Sequence, residues 1–400
     1  MNKDKSEIYC NGIKGEELQV IVQMSGFRVG NFPFRYLGIP ISYKRISIGD
    51  CSKLVEKMVD RIRGWGARKL SYAGRLVLVQ SVLSQLHSYW ARIFVIPKGI
   101  IRRIESICRN YLWEGVDQYH KAPAVAWDKV CQDQKQGGLG VINCMAWNTA
   151  LIGKYTWWLA CKEDHLWIRW VHHVYMKQQD WFEYIPNMNT SWTWRQICKV
   201  KEKLKPGYEA GIWAPDGNAY RPDAGYRWLV GEHAKVEWYP VIWNRMNWPK
   251  HSFIAWLLVL GRLLTKDRLV RFGVINDGGC ELCGEEVETV EHLFFECRYS
   301  QMCLTLINDW LESDIPVRDC IKWCCRLKHR SLMKTKLIQM VVVALVYQIW
   351  NMRNKCRVEQ LVWHPRMLFR MVQQQVKARA NLKICTVPHR LDNEWCIRFK

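Results

Sequence analysis

The stretch CELCGEEVETVEHLFFEC, residues 280–297, decides the fold of the second half of this 400-residue chain. Cys280, Cys283, His292 and Cys297 stand in it at the spacing C-x2-C-x8-H-x4-C. Two cysteines three residues apart can bind one ion from a single tight turn, and Gly284 lets the backbone reverse after the second. Three thiolates and one imidazole form the soft, closed ligand set of a structural zinc ion. We therefore predict that these four residues bind one Zn2+.

The last two ligands constrain the local backbone. His292 and Cys297 cannot share a face of an unbroken α-helix, because five residues turn it through about 500°. We expect Cys297 at or just past a helix end, with Leu293 and Phe294 packed beneath the metal. One alternative is that four residues of a Cys-rich chain fall in this order by chance. The other is a redox C-x-x-C, but such a dithiol follows a strand in a βαβ unit. The sequence shows no such unit.

Composition bounds the class of protein and of partner. The length and a hydrophobic content of 49% predict two or three domains with real cores. The net charge of +22 indicates a polyanionic partner, such as nucleic acid or an anionic membrane surface; an inert basic surface is the alternative. Seventeen scattered cysteines and an N-terminus without a signal peptide predict reduced thiols in an intracellular compartment, nuclear or cytoplasmic.

The pattern of the first 204 residues predicts a short β segment followed by helices. FPFRYLGIPI, residues 32–41, predicts a strand and a turn. Asp50 is expected to cap a helix that Gly64 ends. Further helices are expected over Gly74–Leu86 and after Pro97. QGGLGVI, residues 136–142, indicates a turn, because it lacks the spacing of a phosphate loop. Four tryptophans are predicted to be core rather than base-stacking residues: Trp157, Trp158, Trp167 and Trp170.

The second half contains a turn-rich linker, the metal module and a basic end. Turn signals place a domain boundary within residues 205–235. Residues 273–296 hold seven acidic residues and no Lys or Arg, so this loop should repel a phosphate backbone. The longest apolar run, residues 337–350, is too short for a bilayer and predicts a buried helix. No membrane partner is expected. A second metal group has no well-founded geometry: Cys320, Cys324, Cys325 and His329.

Basic side chains in two regions are candidates for contact with nucleic acid. The first region lies on the predicted early helices: Lys53, Lys57, Arg61, Arg63 and Arg75. The second lies within residues 317–383, which hold fifteen Lys or Arg against two acidic residues. Eight of these basic residues are the candidates: Arg326, Lys328, Arg330, Lys334, Lys336, Arg353, Lys355 and Arg357. Solvated charge on ordinary amphipathic helices explains the same pattern equally well.

The chain resembles the C-terminal part of non-LTR, LINE-type retrotransposon reverse transcriptases, in which the polymerase precedes a reverse-transcriptase zinc-binding domain. FRYLGIPI, residues 34–41, is similar to the family segment between palm and thumb. Residues 65–75 match its W-x4-L-S-x2-G-R pattern. Matches around the metal ligands include Trp243, Pro249, Lys250, Phe253, Trp256, Leu264, Thr265, Leu269 and Glu288. Residues 349–354 resemble a segment that precedes an RNase H domain in the family.

The resemblance implies five regions. Residues 1–45 correspond to the end of the palm, 46–204 to a helical thumb and connection region, and 205–235 to a linker. Residues 236–305 correspond to the zinc-binding domain and 306–400 to a basic helical tail. The fold class expected is thus mainly α, a helical bundle followed by a small zinc-knuckle module and that tail.

Catalytic residues are not predicted. Nucleotide addition needs carboxylates that hold two Mg2+ ions, which the family supplies partly from an Asp-Asp pair. The sequence contains no Asp-Asp pair. We expect a protein with structural zinc that binds RNA or DNA without sequence preference and lacks polymerase chemistry, with other retrotransposon proteins as further partners. The alternative is a zinc-stabilised architectural or protein-docking module with no specific nucleic-acid role.

Overall fold

The computed structural model describes residues 6–10, 12–13, 15–36, 38–41, 45–65, 70–117, 122–209, 211, 219–318, 320–327 and 332–384. In these ranges the protein is mainly α-helical, which confirms the predicted fold class. Its internal contacts divide the chain into two compact units. Unit 1 comprises residues 1–68, 78–119 and 142–232, and unit 2 comprises residues 69–77, 120–141 and 233–400.

Unit 1 begins with two small pairs of strands. The first pair is parallel and flanks helix α1 (Gly15–Ser25): β1 (Glu7–Ile8) and β2 (Arg28–Val29). The second is an antiparallel hairpin: β3 (Phe34–Tyr36) and β4 (Ile39–Ile41). Its register pairs Phe34 with Ile41 and Tyr36 with Ile39. The predicted strand and turn in this stretch are therefore confirmed.

A helical bundle follows the hairpin. It contains α2 (Ser52–Gly64), α4 (Ser84–Ala91) and α5 (Lys98–Glu114). As its apolar stripe predicts, α2 buries Leu54, Val55, Met58 and Ile62. Asp50 does not cap α2, because its carboxylate accepts hydrogen bonds from the backbone N–H and Oγ of Ser47, both at 2.7 Å. The helix predicted over residues 74–86 is longer and contains a π-helical turn: α3 (Tyr72–Leu78), Val79–Leu83 and α4.

The rest of unit 1 is built around α7 (Cys144–Ala160). Against it pack α9 (Trp192–Glu209) and α10 (Pro222–Val230), and α8 (Leu166–Val171) runs into a π-helical turn, His172–Met176. Within the range 205–235, helix α10 buries Ala224 and Gly225 beside α7. Trp157 and Trp158 are half-buried as core residues, whereas Trp167 and Trp170 are 37% and 48% exposed.

Unit 2 contains the metal module within a helical assembly. Its helices are α6 (Trp127–Cys131), α11 (Tyr239–Ile242), α12 (Pro249–Val259), α13 (Lys266–Arg271), α14 (Arg298–Leu311), α15 (Cys320–Arg326), α16 (Leu332–Glu359) and α17 (Pro365–Ile384). A 3-10 turn, Gln134–Gln136, precedes the glycine-rich segment. A Cβ on Gly138 would lie 2.0 Å from the carbonyl oxygen of Gln132, so that turn requires glycine.

The longest helix, α16, lies in the core of unit 2. It packs against α12, α17, α11 and α15, and residues 337–346 are all buried. The segment Met333–Glu359 is long and apolar enough to cross a membrane, but 72% of its most apolar part is buried within the protein. This confirms the buried helix predicted from the apolar run.

Candidate metal centre

The first two ligands lie on the tip of a short hairpin. Gly279 and Val287 form an antiparallel bridge, and the N–H of Cys280 donates to the carbonyl of Glu286 at 2.7 Å. The N–H of Gly284 donates to the carbonyl of Cys280 at 2.9 Å, and Gly284 has φ +73°. The left-handed backbone that C-x-x-C-G requires is therefore present, as the glycine predicted. Cys280 and Cys283 consequently extend toward the same space.

The other two ligands flank a single π-helical turn, His292–Glu296. The N–H of Cys297 donates to the carbonyl of His292, five residues earlier, at 2.7 Å. A π-turn winds less per residue than an α-helix, so five residues bring Cys297 back to the side of His292. Cys297 then lies at the start of α14, as expected for a residue just past a helix end. Leu293 and Phe294 are buried beneath the ligands.

The four ligand atoms converge. All lie within 4.8 Å of one another. The sulfurs of Cys280 and Cys297 are 4.0 Å apart, and the Cys283 sulfur is 3.3 Å from Nε2 of His292. A tetrahedral zinc ion with Zn–S bonds of about 2.3 Å places two sulfurs roughly 3.8 Å apart. The distances and the donor set therefore fit one Zn2+, which would be held by three sulfurs and one imidazole nitrogen.

Backbone amides and one carboxylate surround these ligands. The contact with Cys297 and burial raise the pKa of Cys280, while the N–H groups of Cys283 and Leu282 act in the opposite direction. Nδ1 of His292 lies 3.1 Å from a carboxylate oxygen of Glu286, which leaves Nε2 for the metal. Cys297 sits at the positive N-terminal end of α14, which favours a thiolate there.

A buried ion pair fastens the hairpin to α16. The fully buried carboxylate of Glu288 accepts hydrogen bonds from Nε and a terminal nitrogen of Arg353, at 2.9 and 2.6 Å, and from the N–H of Lys266 at 2.9 Å. Arg353 also donates to the carbonyl of Leu264 at 3.2 Å. The prediction that Arg353 contacts nucleic acid is therefore wrong, because its guanidinium is buried and paired.

Most of the acidic residues around the metal have basic partners. Nζ of Lys266 lies 2.8 Å from Asp277 and 2.9 Å from Glu281, and Arg318 lies 3.0 Å from Glu296. Lys266 could not be found from the acidic stretch alone, because it precedes that stretch by several residues. The one signal for Lys266 in the sequence is its position next to Thr265, which belongs to the matched pattern. The local negative charge is consequently smaller than the composition of residues 273–296 indicates.

The remaining predicted nucleic-acid contacts are spread over both units. Lys53, Lys57, Arg61 and Arg63 are exposed on α2 in unit 1, with Arg63 3.6 Å from Asp117. In unit 2, Arg326 and Arg357 are exposed, and four are half-buried: Arg75, Lys334, Lys336 and Lys355. The Arg75 guanidinium lies over the ring of Tyr72 and the Lys355 ammonium over that of Trp363. Lys328 and Arg330 lie outside the described residues.

The second cysteine group does not form a centre in the described part of the chain. Cys320 and Cys324 are buried on one side of α15. The pKa of the Cys324 thiol is raised mainly by burial and, to a smaller extent, by the nearby Cys320. His329 lies outside the described residues. Among the residues that the structure describes, Cys280, Cys283, His292 and Cys297 are the group of side chains placed to hold a metal.

Comparison with known proteins agrees with this centre. Residues 220–303 match the family described as zinc-binding in reverse transcriptase. The chain is 33% identical over 200 residues to an Arabidopsis thaliana protein named "Putative ribonuclease H protein". The matched region covers 48% of this chain and 31% of that protein. It is 25% identical over 120 residues to an uncharacterized mitochondrial protein of Arabidopsis thaliana, covering 30% of this chain and 78% of that protein. The chain thus spans about a third of the first relative's length, and its similarity to the reverse-transcriptase zinc-binding family covers residues 220–303.

Proposed function

We propose, on the premise that this chain carries a reverse-transcriptase zinc-binding domain, that it binds RNA or DNA without reading sequence and supplies no polymerase chemistry. Zinc would be structural, because all four coordination positions of a tetrahedral ion are taken by protein ligands. Lys and Arg side chains would contact the phosphates. In this account the protein works in the nucleus or cytoplasm beside other retrotransposon proteins and not on a membrane.

One observation carries the proposal: α17 has a one-sided surface of cations. Its buried side packs against α16 through Leu368, Val372, Val376 and Ala380. The helix contains five Lys or Arg and no acidic residue. Three of the cations share the exposed face, whereas Arg379 faces the other side and donates to the carbonyls of Met246 and Asn247. Arg366 and Arg370 are exposed one turn apart, and Lys377 continues the row. A row of unneutralised cations along one helix suits the backbone of a nucleic acid, whose charge recurs at short intervals.

The lack of polymerase chemistry rests on the ligand chemistry. Two-metal phosphoryl transfer uses carboxylates on Mg2+. The sequence has no adjacent aspartates, and the described metal-ligating group is made of sulfur and nitrogen, which select zinc. The ribonuclease H name belongs to a relative of which this chain covers 31%. We therefore propose binding and not nucleotide addition or hydrolysis as the chain's own activity.

A salt titration of binding tests the proposal. Binding of the full chain to duplex DNA should weaken with a log-log slope of about −0.9 per phosphate contact. The double variant Arg366→Gln/Arg370→Gln should lower the size of that slope by about 1.8 if both side chains contact phosphates. The control is Arg262→Gln/Arg271→Gln, which removes the same charge from exposed positions beside the metal hairpin.

The two hypotheses give different results. A steep slope that falls in the α17 variant and stays nearly constant in the control supports nucleic-acid binding. A wild-type slope near zero, or equal affinity for any polyanion, would instead favour the architectural or docking module.

A further inference from the structure

We propose that a cleft in unit 1, between the segments 45–48 and 95–99 and helices α7 and α9, binds the phosphate backbone of a single-stranded nucleic acid. This inference rests on the proposed function and gives it a specific site. None of the residues that the sequence analysis selected as nucleic-acid contacts lines this cleft.

The cleft is sizeable and cationic. Its volume is about 740 Å3. Its polar lining is made mainly by Arg45, Lys98, Gln196, Lys199 and Lys203, and none of the described residues that line it is Asp or Glu. These cations come from three separate parts of the sequence, so composition within a window could not reveal them. Like charges gathered around one concave space without counter-charges favour an anionic ligand.

The two lysines of α9 form the ordered side of the cleft. Lys199 and Lys203 are exposed and stand four residues apart, so they occupy the same face with a rise of about 6 Å between them. The buried side of the same helix holds Trp194, Ile197, Val200 and Leu204, which fix its position. The lysine heads can therefore contact successive phosphates while the helix stays in place.

The opposite wall is held by an amide network. Asn148 of α7 is buried, and its side-chain oxygen accepts a hydrogen bond from the N–H of Ile96 at 2.9 Å. Its nitrogen donates to the carbonyls of Ala91 and Phe94 at 2.9 and 2.7 Å. These three bonds fix the segment that ends at Pro97 and positions Lys98. The wall is thus built before any ligand arrives, which lowers the ordering cost of binding.

The rim of the cleft combines an arginine with an aromatic ring. The guanidinium of Arg45 lies 4.8 Å from the ring centre of Trp192. Asp50 lies in a smaller adjoining pocket, and its carboxylate is engaged by Ser47, which shapes the loop that carries Arg45. The Asp50 carboxylate therefore has a structural partner, and Arg45 lines the cleft.

The size and the lining favour a single strand over a duplex. A volume of this order is that of a site for one compact ligand, and too small to admit a double helix. Side chains with accessible apolar surface also line the cleft, among them Ile48, Met145 and Trp192. They offer a surface for an unstacked base, as single-strand binding sites commonly do. A duplex, whose bases are stacked inside, would contact the rim alone.

Charge removal on α9 tests the site. The double variant Lys199→Gln/Lys203→Gln is compared with the wild-type chain for binding to a single-stranded oligonucleotide over a range of salt. The matched control is Lys162→Gln/Lys177→Gln, which removes two exposed cations of unit 1 outside the cleft. We expect the α9 variant to lower the log-log slope by about 1.4, at roughly 0.7 per contact on single strands. Helical content measured by circular dichroism should stay unchanged in both variants.

The outcomes separate this inference from the proposed function. If the wild-type chain binds the oligonucleotide and the α9 variant and the control lose that binding equally, or neither loses it, the cleft is not the binding site. Nucleic-acid binding as the proposed function would remain. An equal loss of duplex binding in the α9 variant would overturn the assignment to a single strand. No binding by the wild-type chain to either oligonucleotide at 50 mM salt would overturn both.

Discussion

Glu288 shows how one residue joins the metal hairpin to the core of unit 2. Its carboxylate has no exposure and is bonded to Arg353 of α16 and to the backbone of Lys266. Breaking a buried pair by removing one partner leaves an uncompensated charge, which costs about 3–5 kcal/mol. The sequence supplied both residues as parts of matched patterns but gave no reason to pair them, because 65 positions separate them.

A double-mutant cycle on this pair is the first prediction. Glu288→Gln and Arg353→Met should each lower the free energy of unfolding by about 3 kcal/mol or more, and the double variant should lose less than the sum. The control is Glu296→Gln, which removes the exposed partner of Arg318 and should cost under about 1 kcal/mol. Denaturant unfolding of the wild-type chain and the four variants gives the free energies. Additive losses would show that the two side chains do not act as a pair.

His87 provides a second prediction, on pH. The residue is fully buried, and burial lowers the pKa of its imidazole to about 4. An unfolded histidine has a pKa of about 6.5, so between these values the unfolded state binds the additional proton. Stability should therefore fall as the pH drops from 6.5 toward 4, by about 2 kcal/mol at pH 5 from this residue alone.

The variant His87→Leu isolates that effect from other acid-sensitive groups, including the metal ligands. Its loss of unfolding free energy between pH 7 and pH 5 should be about 2 kcal/mol smaller than that of the wild-type chain. Denaturant unfolding at the two pH values gives the comparison. Identical pH dependence in both proteins would mean that His87 is not held neutral in the folded state.

At the scale of elements, the metal site links three segments. The hairpin supplies two ligands, the π-turn and the start of α14 supply the others, and α16 contacts the hairpin through Arg353 and Cys356. The thiol of Cys356 donates to the carbonyl of Glu281 at 3.2 Å. Removal of the metal should therefore loosen the last turns of α16 as well as the hairpin.

Hydrogen exchange with and without a zinc chelator measures this third prediction. Amide protection should fall in residues 278–300 and 353–359 when the metal is removed. Helices α7 and α9 belong to unit 1 and serve as the internal control, with exchange unchanged. Loss of protection confined to residues 280–297, with α16 unaffected, would contradict the link through Glu288 and Arg353.

Sequence reasoning predicted elements where the local pattern is strong and missed features that depend on distant partners. The apolar stripes of α2 and α5 and the glycine turn at Gly284 follow from neighbours within one or two helical turns. The π-turn between His292 and Cys297 could be anticipated as a departure from an α-helix but not as a specific geometry. Arg353 was misassigned because tertiary packing brings it to Glu288, 65 positions away. Asp50 was misassigned because its carboxylate accepts hydrogen bonds from Ser47, three residues before it, and not from the first turn of α2.

Across the whole molecule, the exposed cations and the acidic residues are distributed differently. Exposed cations are spread over both units, among them those of α2, of the unit 1 cleft and of α17. Seven acidic residues, by contrast, are gathered in residues 273–296 around the metal ligands. Unit 1 ends at residue 232, within the predicted boundary range 205–235, and the described part of that range includes the end of α9 and all of α10. The five predicted domain ranges stay predictions. The zinc module is a part of unit 2 and is held by the helices on both sides of it in the sequence.

Zinc-edge X-ray absorption on the purified chain, together with its metal content, tests most directly whether Cys280, Cys283, His292 and Cys297 bind one structural zinc ion. We predict one zinc per chain, with three sulfur neighbours at about 2.3 Å and one nitrogen at about 2.0–2.1 Å. A chain that folds without zinc, or a bound ion surrounded by oxygen and nitrogen with no sulfur, would contradict it.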